Sequence, residues 1–100
     1  MFQWHNTIIL FGRSMYINQI RDYIPSLINR YHTIGCNQFV NIFPNVENVI
    51  FYDDIPRLKV SEKNRIIADI RLIYNKKSRA YGWLNSHKNK ELYLCRNNKF

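Results

Sequence analysis

Thr7-Ile8-Ile9-Leu10-Phe11-Gly12-Arg13-Ser14 is the stretch that decides the fold. Its apolar residues are consecutive, which is typical of a strand covered on both faces in a parallel sheet. Gly12-Arg13-Ser14 then predicts a turn, and Ser14 is a suitable N-cap for a following helix. The stretch therefore predicts the first strand of an α/β fold, over residues 7–11.

Behind that turn, apolar residues recur at intervals of three and four, which predicts one face of a helix. They are Ile17, Ile20, Ile24, Leu27, Ile28 and Tyr31. We expect Pro25 to kink or split this helix near Ile24, because proline lacks a backbone donor. Two more strands are predicted over 32–36 and 48–52, with a turn at 43–45. Strand, helix, strand is a βαβ unit, whose crossover is right-handed.

The segment 61–74 fits two patterns. Its isoleucines are spaced as on a helix, but Ala68, Ile70 and Leu72 also alternate as in a strand. We favour a helix capped by Ser61. A short helix over 76–87 and a strand over 91–96 complete a predicted α/β fold: a small three-layer Rossmann-like domain with three or four mainly parallel strands and two or three flanking helices.

Charge divides this chain of 100 residues into two parts, although its length fits a single domain. Residues 1–56, the predicted βαβ scaffold, carry three basic residues against four acidic ones. Residues 57–100, the predicted basic helical region and last strand, carry twelve basic residues against three acidic ones. The net charge of +8 therefore belongs to one half, which we expect to attract polyanions.

Several classes of protein are excluded by what the sequence lacks. No apolar run approaches the ~20 residues that span a bilayer, and the start does not resemble a signal peptide, so we expect a cytoplasmic protein with no membrane partner. Cys36 and Cys95 have neither zinc-site spacing nor the density of a disulfide scaffold, so we expect reduced thiols and no metal. No cofactor and no catalytic residue is predicted. A short chain can also complete its core by forming a homodimer, which the sequence leaves open.

The turn after the first strand is the first candidate site. In doubly wound folds this turn lies at the carboxyl edge of the sheet, where backbone donors and a helix N-terminus hold phosphate. Gly12 would allow close approach, with Arg13 and Ser14 donating to phosphate oxygens. The alternative is a tight turn with a helix cap, since one glycine is far from a three-glycine fingerprint.

Three segments together suggest a family. The stretch 7–14, then Thr33-Ile34-Gly35-Cys36-Asn37, then Val49-Ile50-Phe51-Tyr52-Asp53-Asp54, resembles the start of Rossmann-like glycosyltransferases of the bacterial sialyltransferase type and their phage and bacterial relatives. The resemblance covers residues 7–54. It implies a nucleotide-sugar pocket.

Carried over onto this chain, the resemblance implies phosphate contacts at Gly12 and Ser14 and a nucleotide contact at Asn37, with Asp53 near the same edge. The family's turn is richer in glycine, and its catalytic residues continue beyond the end of this sequence. The expectation is therefore a non-catalytic or truncated module that binds a nucleotide or another phosphate-bearing ligand.

The adjacent acids Asp53 and Asp54 could bind Mg²⁺ or a ribose hydroxyl. Neighbouring side chains on an extended chain point in opposite directions, so the two carboxylates cannot easily share one ion. The alternative is the end of a strand before Pro56, with a solvated acid.

A basic and aromatic tract over 74–83 suggests a second function. Its cations could neutralise phosphates while an aromatic ring stacks on a base, as in proteins that bind RNA or single strands. The residues predicted to bind nucleic acid are Lys76, Lys77, Arg79, Tyr81, Trp83, Lys88 and Lys90. On this reading the chain is a small basic protein, of a composition typical of phage proteins, that binds nucleic acid or a nucleoprotein complex and inhibits a host system. The alternative is a solvated basic helix whose aromatic residues face the core.

Overall fold

The protein is built on one parallel sheet, flanked by short helices. The computed structural model describes residues 7–12, 15–50, 58–77 and 80–94. The strands are β1 (Ile8–Phe11), β2 (His32–Cys36), β3 (Asn48–Ile50), β4 (Arg65–Asp69) and β5 (Lys90–Tyr93). The α-helices are α1 (Ile24–Arg30), α2 (Phe39–Ile42) and α3 (Tyr81–Ser86), and 3₁₀ turns occur at Met15–Asn18, Arg21–Tyr23 and Ile70–Ile73.

All five strands are parallel, and they lie in the sheet in the order in which they occur along the chain. This confirms the predicted fold class, a small Rossmann-like α/β domain. The sheet has five strands rather than three or four because the segment around Ala68 forms a strand. The predicted second strand is confirmed at its predicted bounds, 32–36.

The apolar core lies on one face of this sheet. The strand registers place Phe11 beside Gly35, Gly35 beside Val49 and Val49 beside Ile66, and these residues are buried. Buried residues of α1, α2 and α3, such as Ile24, belong to the same cluster. Strands in sequential order joined by right-handed crossovers carry their connections on one face, as this arrangement requires. A helical layer on the other face is not seen among the described residues.

Aromatic packing joins α2 to the centre of the core. The Phe39 ring stacks on Phe11 at 4.6 Å between ring centroids and packs against Phe43 at 5.0 Å. A Cβ atom added to Gly35 would lie 2.5 Å from Cδ1 of Phe39. The glycine in β2 therefore allows the helix that follows to lie directly on the strand.

Two predicted helices were wrong in part. Residues 61–74 form β4 and a 3₁₀ turn, not a helix, because burial of Ile66 and Ala68 on the core face favours the strand. The predicted long helix is two 3₁₀ turns followed by α1, with Pro25 in the first turn of α1. Proline is suited to this position because the first backbone N–H groups of a helix have no intrahelical partner. The short helix α2 was not predicted.

Candidate nucleotide site at the carboxyl edge

The candidate site lies at the edge of the sheet where the parallel strands end. Gly12 follows β1, and Asn37 follows β2. Since Phe11 pairs with Gly35, Gly12 lies level with the last residue of β2, one residue before Asn37. The structure therefore brings these two predicted site residues to neighbouring strand ends.

Asn37 has an unusual backbone and an unusual side chain. Its φ is 52°, in the left-handed region, where asparagine is tolerated better than most residues. Its backbone N–H donates to the carbonyl of Ile50 at 2.8 Å, which fixes the turn to the end of β3. Its Oδ1 is buried and has no hydrogen-bond partner among the described residues. An acceptor in that state lacks the hydrogen bond that buried polar groups normally make.

Gly12 leaves open space beside the backbone. It is exposed, and a Cβ added to it would have no atom of the described residues within 4 Å. A ligand can therefore approach this backbone. The other predicted site residues at this edge, Arg13, Ser14 and Asp53, lie outside the described residues, as do Asp54 and the cap predicted at Ser14.

The helix expected directly after this turn is absent. A four-residue 3₁₀ turn, Met15–Asn18, stands there instead, and the first α-helix begins at Ile24. The helix dipole and the row of free N–H groups that hold phosphate in doubly wound folds therefore do not follow Gly12. A phosphate at this edge would depend on backbone and side-chain donors of the turn.

An ion pair occupies the end of β4 at the same edge. One carboxylate oxygen of Asp69 accepts from the backbone N–H of Arg71 at 2.9 Å, and the guanidinium of Arg71 binds both oxygens. This carboxylate begins the 3₁₀ turn that follows. The Asp69 carboxylate therefore caps the 3₁₀ turn, and the guanidinium of Arg71 neutralises its charge.

Cys36 lies immediately before Asn37 and is half-buried. Burial raises the pKa of its thiol, because desolvation disfavours the thiolate. A thiol with a raised pKa is a poor nucleophile at neutral pH. Cys36 therefore lacks the lowered pKa of a reactive thiol.

The residues predicted to bind nucleic acid fall into two groups. Lys76, Lys77 and Lys88 are exposed on the connections to either side of α3. Lys90 is half-buried, and its Nζ donates to the carbonyls of Leu84 and Asn85 at the end of α3, at 3.1 and 3.3 Å. Arg79 lies outside the described residues.

The two aromatic residues predicted to bind nucleic acid are only partly accessible, whereas Tyr74, the third aromatic residue of the tract, is 73% exposed. Tyr81 is half-buried, at the first position of α3. Trp83 packs against the hydrophobic core, and its ring lies 6.4 Å from that of His87 in a stacked arrangement. Trp83 therefore has a packing role, which agrees with the alternative interpretation of the tract.

Buried amides at the opposite, amino edge of the sheet are the residues that sequence reasoning missed. Asn64 is 1% exposed and donates from Nδ2 to the carbonyls of Pro44 and Val46, at 2.9 and 2.6 Å. Asn48 is fully buried and donates to the carbonyl of Thr33 and to the carboxylate of Glu47. Their hydrogen bonds tie together the segments that lead into β2, β3 and β4. The available signal was Asn48 at the start of an apolar run, and the charged neighbours of Asn64 gave no such signal.

His32 also lies at the amino edge. Its Nδ1 lies 2.9 Å from a carboxylate oxygen of Glu47. Beside this pair is a cleft of about 230 Å³, and an adjoining apolar cleft of about 340 Å³ runs between α1 and α2. The pair joins the starts of β2 and β3, so the described contacts of His32 are structural.

Within the described ranges, no three His, Cys, Asp or Glu side chains are grouped so that they could hold a metal ion. Over the same ranges, no helix is both long and apolar enough to cross a membrane. Comparisons with protein-family models, curated proteins and solved structures find no match to this chain.

Proposed function

We propose that this protein is a binding module for a nucleotide or a related phosphate-bearing ligand, held at the carboxyl edge of the sheet between Gly12 and Asn37. One observation carries the proposal: the buried Oδ1 of Asn37, without a partner among the described residues, lies at the end of a parallel strand. In open α/β sheets, ligands bind at the carboxyl ends of the strands.

The chemistry of the two residues narrows the ligand. Oδ1 is buried, so a ligand reaches it only when the Asn37 side chain rotates. As a hydrogen-bond acceptor it then suits a hydroxyl or amino group and cannot bind a phosphate oxygen that carries no proton. Gly12 leaves its backbone open to a bulky anion. A nucleotide offers both groups, because its ribose hydroxyls and base amines are donors and its phosphate is an acceptor. The resemblance of residues 7–54 to glycosyltransferases that bind nucleotide sugars supports the same ligand class.

The test is thermal stabilisation of the full chain by nucleoside 5′-monophosphates and 5′-diphosphates. A ligand present at about 100 times its Kd raises the free energy of unfolding by about 2.7 kcal/mol. Asn37→Gly should abolish this shift without loss of stability, because glycine accepts a φ of 52° and the variant removes the buried acceptor. Asn45→Gly, a change of the same type at an exposed position away from this edge, is the control.

Two results would contradict the proposal. One is the absence of stabilisation by any nucleotide. The other is an unchanged shift in both Asn37→Gly and Gly12→Val, because a valine side chain would fill the space beside the backbone of Gly12.

A second candidate function, nucleic-acid binding, is favoured by a different observation. Lys76, Lys77 and Lys88 are exposed, and the hydrogen bonds and ion pairs of the described residues do not engage their ammonium groups. Binding of a labelled oligonucleotide should then weaken steeply with added salt, because lysine contacts release counterions from the phosphates. Affinity that does not depend on salt, or no binding at low salt, would rule this function out.

A further inference from the structure

The two edge strands of the sheet differ in their charge, and this difference affects whether another strand can pair with them. β1 is the strand at one edge and β5 the strand at the other. β5 carries Lys90 and Glu91, and charges on an edge strand discourage pairing with another sheet. Residues 7–12, which include β1, carry no charge. β1 therefore lacks this form of protection.

The side chains of β1 that face away from the core are apolar and exposed. Ile8 is 41% exposed and Leu10 is 64% exposed. Both lie on the face opposite the buried Phe11, since side chains alternate along a strand. Within the described residues, the outer backbone groups of β1 pair with no further strand. An edge strand of this kind with exposed apolar side chains is a template for a further strand.

The order of the strands also places this edge far from the cationic region. The near-neutral half of the sequence forms β1, β2 and β3, while the half with twelve basic residues forms β4 and β5. Neighbouring strands lie about 4.8 Å apart, so the two edges are separated by roughly 19 Å. Two copies joined at β1 would therefore keep their cationic regions at opposite ends of the assembly, where repulsion is weakest.

We propose that two copies of this chain associate through antiparallel pairing of their β1 strands, which makes one continuous sheet of ten strands. A two-fold axis at Ile9 sets Ile8 of each copy opposite Leu10 of the other. This register keeps both core faces on the same side, because opposite residues of an antiparallel pair share a face. It also covers the two most exposed side chains of β1 with each other.

Exposed residues give a matched test of this interface. Leu10→Lys should convert the dimer to a monomer, because it places like charges beside the two-fold axis. Leu94→Lys is the control: Leu94 is 63% exposed, follows β5 at the opposite edge, and should leave the dimer intact. Light scattering after size-exclusion chromatography of the full chain, over concentrations up to about 1 mM, measures the mass.

Cross-linking tests the register. In a chain without its two native cysteines, Ile9→Cys should form a disulfide across the two-fold axis, since opposite Cα atoms lie about 4.5–5.5 Å apart. Leu10→Cys should cross-link far more slowly, because its two copies would lie about 8 Å apart, beyond the reach of a disulfide.

A monomeric mass for the native chain at the highest concentration overturns the proposal, as does equal dissociation by the two lysine variants. Faster cross-linking at position 10 than at position 9 overturns the register.

Discussion

Gly35 and Gly82 share a residue type but differ in what surrounds them. A Cβ at Gly35 would lie 2.5 Å from Cδ1 and 3.1 Å from Cγ of Phe39, whose ring is buried and held by Phe11 and Phe43. A Cβ at Gly82, inside α3, would meet no atom within 4 Å in the part of the chain that the structure describes. A substitution at Gly35 therefore tests close packing, and a substitution at Gly82 tests the conformational freedom of the backbone.

We predict that Gly35→Ala lowers the free energy of unfolding by about 1–3 kcal/mol, because the overpacked Phe39 cannot move without disturbing its neighbours. Gly82→Ala should raise it by about 0.5–1 kcal/mol, because alanine favours a helix. Urea denaturation measures both. Equal effects of the two substitutions would show that Phe39 does not lie on β2 as described.

The raised pKa of Cys36 predicts slow thiol chemistry. In Cys95→Ser, which leaves a single thiol, iodoacetamide should label the folded chain more slowly than the chain unfolded in urea at neutral pH. The labelling rate should rise with pH in both states, but its midpoint should lie at higher pH in the folded state, where burial opposes the thiolate. Equal rates in the two states would contradict this assignment.

Individual residues could be predicted only where their role is local. Asn37 was named only through the family resemblance, and its contact with a nucleotide stays a prediction. Asn64 could not be predicted, because its amide binds carbonyls about twenty positions earlier, and only the folded chain brings these groups together. Trp83 shows the same limit, since its packing against the core depends on the position of α3.

At the scale of elements, the second strand and the parallel arrangement were predictable from continuous apolar runs. Residues 61–74 were not, because the same isoleucines fit a helical and an alternating pattern. Burial in the folded chain favours the strand over the helix. Ile66 and Ala68 face the core, whereas Ile67 is only half-buried. Pro25 was likewise ambiguous, since proline that breaks the middle of a helix also suits its first turn.

This arrangement of β4 predicts unequal effects of two adjacent substitutions. Ile66→Ala should cost about 2–4 kcal/mol of stability, because a fully buried side chain is removed from the core. Ile67→Ala should cost about 1 kcal/mol, because that side chain lies on the other face of the sheet. Denaturant unfolding of the two variants measures the difference. Similar losses would instead favour the helix, in which both side chains share one apolar face.

At the scale of the whole molecule, a difference along the sequence becomes a difference in space. Because the strands lie in chain order, the near-neutral half forms one side of the sheet and the cationic half forms the other. If the strands did not lie in chain order, strands of the near-neutral half and of the cationic half could alternate across the sheet. The proposed nucleotide site and dimer edge both belong to the near-neutral side, and the lysines that favour nucleic-acid binding belong to the cationic side.

The most direct test of the proposed function is chemical-shift mapping by ¹⁵N NMR of the full chain, titrated with a nucleoside 5′-diphosphate. The account predicts saturable shifts that centre on the backbone amides of Gly12 and Asn37, at the carboxyl ends of β1 and β2. Shifts centred on Lys76, Lys77 and Lys88, or no saturable shifts at all, would contradict a nucleotide site at this edge.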